Sequence, residues 1–169
     1  MIIRDATHAD MGPVCDLYNV LIPTTTIAWT ETLQTLDERL AWFALQEQRS
    51  NPVLVADADG AVVGFASFGS FRGDGRWPGY RFTVEHTIHV AESYWHAGVG
   101  RALLEALIER ARVAGFHVMV GGIDADNAPS LRFHERMGFV EVARMPQVGR
   151  KFDRWLDLVL VQLILNYET

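Results

Sequence analysis

The chain reads as an α/β protein, a mixed sheet with helices on both faces. Three observations predict it. Asp59-Gly60, a strong hairpin turn, joins two apolar, β-branched runs at residues 53–56 and 62–68. A strand, a glycine-punctuated turn and a helix follow one another over residues 83–114. Strand and helix patterns then alternate toward the end of the chain, which calls for crossover connections.

Each element has its own signal. Residues 2–6 (IIRDA) form a short first strand. Asp10 is placed to cap a helix with Met11, Val14, Cys15, Tyr18 and Leu21 on one side, and Pro23 stops it. Residues 24–29 are polar and β-branched without helical period, and are expected as an ordered loop. Thr35 and Glu38 make a capping box; the helix behind it is expected to turn Leu36, Leu40, Phe43 and Leu45 inward. The hairpin strands come next, then a glycine- and aromatic-rich loop over residues 72–80. Val84, Ile88 and Val90 mark the central strand. From Val99, apolar residues at Leu103, Leu107 and Ala111 give a helix with one buried face. Residues 117–123 are a strand, and residues 126–130 open a short helix with Pro129 in its first turn and Gly138 as its C-cap. Residues 139–143 are a strand, residues 145–152 a loop and residues 154–165 a final strand. The order is β-α-α-β-β-β-α-β-α-β-β.

Composition narrows the function classes. At 169 residues with 49% hydrophobic content, one domain spanning residues 1–169 with a sizeable core is the economical reading. A net charge of −6 without any Lys/Arg run argues against nucleic acid or an anionic membrane as partner. Cys15 stands alone on an apolar helix side, a core thiol suited to a reducing compartment. The N-terminus lacks a signal-peptide layout and no apolar run reaches membrane-spanning length, so a cytoplasmic protein is expected. No metal is implied, because His86 and His89 point to opposite strand faces and His96 and His117 lack partners at ligand spacing.

Gly98 and Gly100 leave backbone N–H groups unshielded at a helix entry, where the dipole favours a phosphate or pyrophosphate; a plain strand–turn–helix corner is the other reading. Here a resemblance enters. Trp95 to Gly100, WHAGVG, resembles the acyl-CoA loop Q/R-x-x-G-x-G/A of the GCN5-related N-acetyltransferase superfamily, GNAT. That implies acetyl-CoA as cosubstrate, its pyrophosphate held by backbone groups at His96, Ala97, Gly98, Val99, Gly100 and Arg101. Trp95 departs from the usual Gln or Arg. Residues 127–139, NAPSLRFHERMGF, resemble the superfamily's N-x-x-[AS]-x-x-x-[YH]-x-x-x-G-F helix. There Asn127 and Ser130 would meet the cofactor and His134 would lie near the thiol. Val84-Glu85-His86-Thr87 together with His134 resembles the phosphinothricin acetyltransferase branch, and residues 145–165 resemble its relatives that acetylate methionine sulfoximine and methionine sulfone. The implied fold is a mostly antiparallel, twisted sheet in which strands 83–90 and 117–123 splay to admit the pantetheine arm. A homodimer is implied too, with the apolar tail and residues 145–152 near its interface.

The chemistry is argued beside this. An amine attacks a thioester only as the free base, so a base must stand near the thioester. Glu85, mid-strand, is the candidate, and burial would raise its pKa usefully; an outward-facing strand glutamate is the alternative. Backbone N–H groups over Ile88, His89 and Val90 are placed for the oxyanion and for pantetheine. His134 would protonate the departing thiolate or hold the thiol. In the resembling branch Glu85, His86 and Thr87 line the substrate pocket. An amino-acid acceptor's carboxylate calls for an arginine, Arg72 first and Arg81 second. The loop after Arg72 is longer than in that branch, with Gly73-Asp74 where it has Pro-Phe. The expected activity is acetylation of the α-amine of a small amino-acid analogue by direct transfer in a ternary complex, detoxifying glutamine-synthetase inhibitors. A non-catalytic acyl-CoA-binding module and a protein N-terminal or lysine acetyltransferase are the alternatives.

Overall fold

The computed structural model describes residues 1–73 and 76–166; Asp74 of the rim loop lies outside them. Seven strands, β1 (Ile2–Asp5), β2 (Val53–Ala58), β3 (Ala61–Ser70), β4 (Thr83–Val90), β5 (Val118–Asp124), β6 (Val140–Lys151) and β7 (Arg154–Ile164), form one sheet in the order β1-β2-β3-β4-β5-β7-β6. Every neighbouring pair is antiparallel except β4 and β5. Helices α1 (Met11–Leu21) and α2 (Leu36–Gln48) cover one face, and α3 (Val99–Val113) and α4 (Ala128–Arg136) the other.

Strand alternation divides the core between the faces. Phe65 of β3 packs with Met11, Val14 and Phe43 under α1 and α2. Ala66 and Phe68 join Leu103, Leu104 and Leu107 beneath α3. The larger α3 core fixes the sheet as a platform, while the smaller α1–α2 core leaves part of its face uncovered. Asp59 and Gly60 both take the left-handed conformation, as a tight β2–β3 hairpin requires.

Three local expectations are corrected. Asp10 precedes α1 but does not cap it with its side chain; its carboxylate accepts from Thr7 N–H at 2.7 Å and from two Arg4 nitrogens at 2.8 Å. Leu36 and Leu45 are exposed, whereas α2 buries Arg39 and Phe43. Arg39 takes an interior place because its guanidinium lies 4.7 Å from the Tyr18 ring centroid and 4.8 Å from that of Trp42, exchanging hydration for aromatic faces. Residues 145–151 are strand rather than loop: β6 runs through them, with an irregular register between Met145 and Gly149. Pro146 and Gly149 read as breakers, yet β6 is an edge strand, where proline and a bulge are tolerated.

Candidate active site

β4 and β5 pair only over Thr83–Glu85 and Val118–Val120. Beyond Glu85 each follows its other neighbour, β4 along β3 to Val90 and β5 along β7 to Asp124, and a wedge opens between them. Backbone groups of an antiparallel strand alternate sides. Ala91 N–H donates to Val63 O at 2.9 Å, so His89, two residues back, also faces β3. Ile88 and Val90 therefore direct their N–H and C=O groups into the wedge. His89, expected with them, commits its backbone to the Phe65 register and its ring to Tyr18 and Phe65, at centroid distances of 5.3 and 5.0 Å.

Two cavities meet at Glu85, His86, Thr87 and Gly122. One, of about 240 Å³, is walled by Ile27, Trp29, Asp124, Asn127, Ser130 and His134. The other, of about 360 Å³, is walled by Trp42, Gln46, Ser67 and Ser70. Glu85 opens to the cleft, and desolvation by the surrounding walls lifts its carboxyl above the usual carboxylate range. His86 points to the opposite face. Its ring stacks on that of His134, with centroids 5.1 Å apart and planes at 24°, and meets the edge of Phe139. Burial holds His86 down to about 3 and His89 to about 4, so both are neutral at physiological pH.

His134 is lowered by desolvation as well. Its Nδ1 lies 2.8 Å from the Ser130 carbonyl oxygen. A carbonyl only accepts, so Nδ1 carries the proton and Nε2 keeps a lone pair. Nε2 is buried without a partner among the described residues. Of two adjacent glycines in β5, Gly121 makes room for the His86 ring, while Gly122 borders Glu85 at ordinary contact distance. A Cβ on Gly121 would come within 2.7 Å of His86 Nε2, and one on Gly122 within 3.6 Å of Glu85 Oε1. A Gly-Gly pair inside a strand pattern marks such close approach, and that was the signal in the sequence for this spot. Nothing in the sequence marked Ile27, Trp29, Trp42 or Gln46 as pocket walls, because they come from a loop and from one helix turn far away in the chain.

At the far end of the wedge, Gly98 adopts φ +84° and caps α3, a conformation that suits glycine. The first N–H groups of α3 have no partner within the helix, which leaves residues 98–101 as an anion cradle. His96 and Ala97 form the turn into it; Val99 is buried, and Arg101 pairs outward with Glu105 at 2.7 Å. Trp95 does not disturb the turn: its Nε1–H donates to Val90 O at 2.9 Å and ties the loop to the wedge. Asn127 Oδ1 accepts from Ser130 N–H at 3.1 Å and caps α4. Arg72 and Arg81 stay out of both linings, on the exposed rim loop. Arg72 donates to Tyr80 Oη at 3.2 Å and Arg81 to Pro78 O at 3.1 Å.

Residues 14–139 match the family model described as the acetyltransferase (GNAT) family. The chain belongs to that family. Along 165 residues it is 47% identical to an L-methionine sulfoximine/L-methionine sulfone acetyltransferase of Pseudomonas paraeruginosa, covering 97% of this chain and 94% of the relative. A phosphinothricin N-acetyltransferase of Streptomyces viridochromogenes is 31% identical, over 92% of this chain and 83% of its own. A solved GNAT-type structure, an acetyltransferase from Salmonella typhimurium with its cofactor acetyl-CoA, superposes with a TM-score of 0.93 at 43% identity, over 99% of this chain and 95% of that one. The mostly antiparallel sheet with a splayed strand pair is thus the GNAT fold, and the protein is an N-acetyltransferase of that family.

Proposed function

We propose that this GNAT enzyme transfers the acetyl group of acetyl-CoA directly to the α-amine of a small amino-acid analogue, methionine sulfoximine or methionine sulfone first and phosphinothricin second. The observation that carries the reading is Glu85, a desolvated carboxyl with a raised pKa at the junction of two cavities and beside the wedge. Acetyl-CoA lies along the wedge, with its pyrophosphate on residues 96–101 and its arm on Ile88, Val90, Asn127 and Ser130. Glu85 takes a proton from the α-ammonium, and the free amine forms its bond to the thioester carbon. The carbonyl pair moves to oxygen and meets the N–H of Ile88 or Val90. Collapse breaks the C–S bond, and the nitrogen passes its second proton to the departing thiolate, which leaves as the thiol. His134, neutral and with only a lone pair at Nε2, fits accepting a hydrogen bond from the thiol rather than supplying the proton. Thr87 lines the acceptor side with Glu85, while His86, expected there as well, packs behind the strand against His134 and Phe139; Arg72, with Arg81 behind it, reaches the acceptor carboxylate from the rim.

The product loses its ammonium charge, which fits detoxification of amino-acid analogues that imitate a metabolite. A homodimer is supported by the exposed apolar residues Val140, Val142, Met145, Val148 and Trp155 along the edge of the sheet. A cytoplasmic site is supported by the single, buried, free Cys15. The test is thiol release from acetyl-CoA with methionine sulfoximine, methionine sulfone, phosphinothricin, common amino acids and a lysine peptide. Turnover confined to the analogues is expected. Acetyl-CoA binding without turnover of any amine would replace this reading with a non-catalytic module, and turnover of the peptide alone with a protein acetyltransferase.

A further inference from the structure

Lys151 is a buried cation far along the chain from the cleft. It is 1% exposed and, among the described residues, has no carboxylate at hydrogen-bond distance; Glu31 acts on it only at longer range. Its ammonium donates to the backbone oxygens of Thr25 and Ala28, each at 2.6 Å, and sits 4.7 Å from the Phe152 ring centroid. Desolvation lowers its pKa. An ammonium is taken out of water at this cost only where its donors find strong acceptors, and two main-chain carbonyls supply them here.

Those carbonyls belong to the irregular loop between α1 and α2. The ends of that loop are tied locally, Thr25 N–H to Leu21 O and Gln34 N–H to Asn19 Oδ1. Among the described residues, the hydrogen bonds that tie residues 26–33 to a distant part of the chain come from the β6–β7 hairpin: Lys151 to Ala28 O, and Phe152 N–H to the Glu31 carboxylate at 3.0 Å. Gly149, on the same hairpin, lies flat against the Trp29 indole, whose ring a Cβ at that position would overlap. Phe152 and Asp153 turn the hairpin with φ of +50° and +56°, a left-handed pair that the rest of the structure holds in place. Between the anchored points, Ile27 and Trp29 project into the cavity that holds Glu85 and His134.

We infer that Lys151 is a positioning residue of the acetyltransfer site: it latches residues 25–28 to the β6–β7 hairpin, and so fixes Ile27 and Trp29 as the wall against which the amine acceptor is held. The latch lies away from the pyrophosphate cradle at residues 98–101, so its larger effect falls on the acceptor and a smaller one on the acetyl-CoA arm, whose Asn127 and Ser130 share the cavity. The inference rests on the proposed acceptor occupying the cavity beside Glu85.

Lys151→Met keeps the length of the side chain and removes the charge and its donors. It should raise the acceptor KM about tenfold or more while changing the acetyl-CoA KM less than about twofold, since a wall displaced by about 1 Å is enough to lose acceptor affinity. Hydrogen exchange of residues 25–31 should speed up in the variant, with α3 and α4 unchanged. Glu31→Ala removes the second tie from an exposed position; a smaller rise in acceptor KM in the same direction is expected, and it serves if Lys151→Met does not fold. Unchanged acceptor KM together with unchanged exchange in the loop would overturn the latch. So would equal losses for both substrates, which would make Lys151 a general stability residue. If the wild type turns over no amine, the proposed acceptor fails, and the exchange measurement alone still decides whether Lys151 holds the loop.

Discussion

Two clusters of ionisable groups in this molecule are built on opposite terms. At the β1–β2 edge, Arg4 lies between Asp10 and Asp57, with nitrogen–oxygen distances of 2.8 and 2.9 Å. Hydrogen bonds from Arg4 hold the Asp10 carboxyl down at about 2, against a smaller opposing effect of burial, so the charged forms are favoured. In the cleft, Glu85, His86, His89 and His134 are all pushed toward their neutral forms by desolvation. Both nitrogens of His86, Nδ1 of His89 and Nε2 of His134 are buried without partners among the described residues. Buried polar groups left unpaired cost stability. The first cluster serves the fold. The second keeps unsatisfied groups around a cavity, which is how a site readies itself for a ligand.

The largest expected effect separates activity from stability at one residue. Glu85→Gln should lower kcat about 10²- to 10⁴-fold, the range typical for loss of a general base, with acetyl-CoA binding intact. Folding should not suffer. A carboxyl whose folded pKa is raised contributes stability below its ordinary value of 4.5 and loses it as pH rises through the folded value. At neutral pH Glu85 therefore opposes folding, and Glu85→Gln should melt at the same or a higher temperature. A clear drop in Tm would make Glu85 a structural residue and dissolve the contrast.

Acid should unfold the two clusters in separate windows. A histidine whose folded pKa is depressed contributes stability above 6.5 that is lost as pH falls toward the folded value. Between pH 7 and pH 5, His86 and His89 should together cost on the order of 4 kcal/mol, read as a falling urea midpoint. His89→Phe should flatten that slope. Asp10 loses its contribution only from 3.8 down toward about 2. Asp10→Asn should cost about 1–2 kcal/mol at pH 7, discounted because Arg4 reaches solvent, and leave kcat and KM alone. A variant that lost activity without losing stability would place the edge cluster in the catalytic machinery after all.

How much of this was legible in the sequence follows the same division. Local signals carried the frame: the Asp59-Gly60 hairpin, the Thr35–Glu38 box, and Gly98 and Gly138 with φ of +84° and +90° all stand where their chemistry placed them. Glu85 was marked by its place in the central apolar strand and by the family resemblance, and His134 by the resembling helix motif; the structure brings both to the wall of one cavity. The β6 edge strand was not, since Pro146 and Gly149 look like loop wherever the identity of the neighbouring strand is unknown. Lys151 and Trp29 were invisible for a deeper reason. Their meaning lies in contacts across more than a hundred residues of chain, and a lone lysine in a hairpin or a tryptophan in a loop carries no local sign of them.

The smallest effect tests the rim, where a charge belongs to neither cluster. Arg72 is exposed and, among the described residues, its side-chain hydrogen bond goes to Tyr80 Oη, a neutral partner. Its left-handed backbone, φ +60°, aims the loop from the end of β3, whose Ser70 lines the larger cavity. If it meets the acceptor carboxylate there, the contact is solvent-bathed and modest. Arg72→Ala should then raise the acceptor KM several-fold, up to about tenfold, with kcat nearly unchanged. The wild-type KM should rise with ionic strength and the variant's should not, because screening can remove only a charge contact that exists. Arg81, held to Pro78 O, provides the control: if Arg81→Ala shows the salt-dependent loss and Arg72→Ala does not, the carboxylate receptor sits at the other end of the same loop.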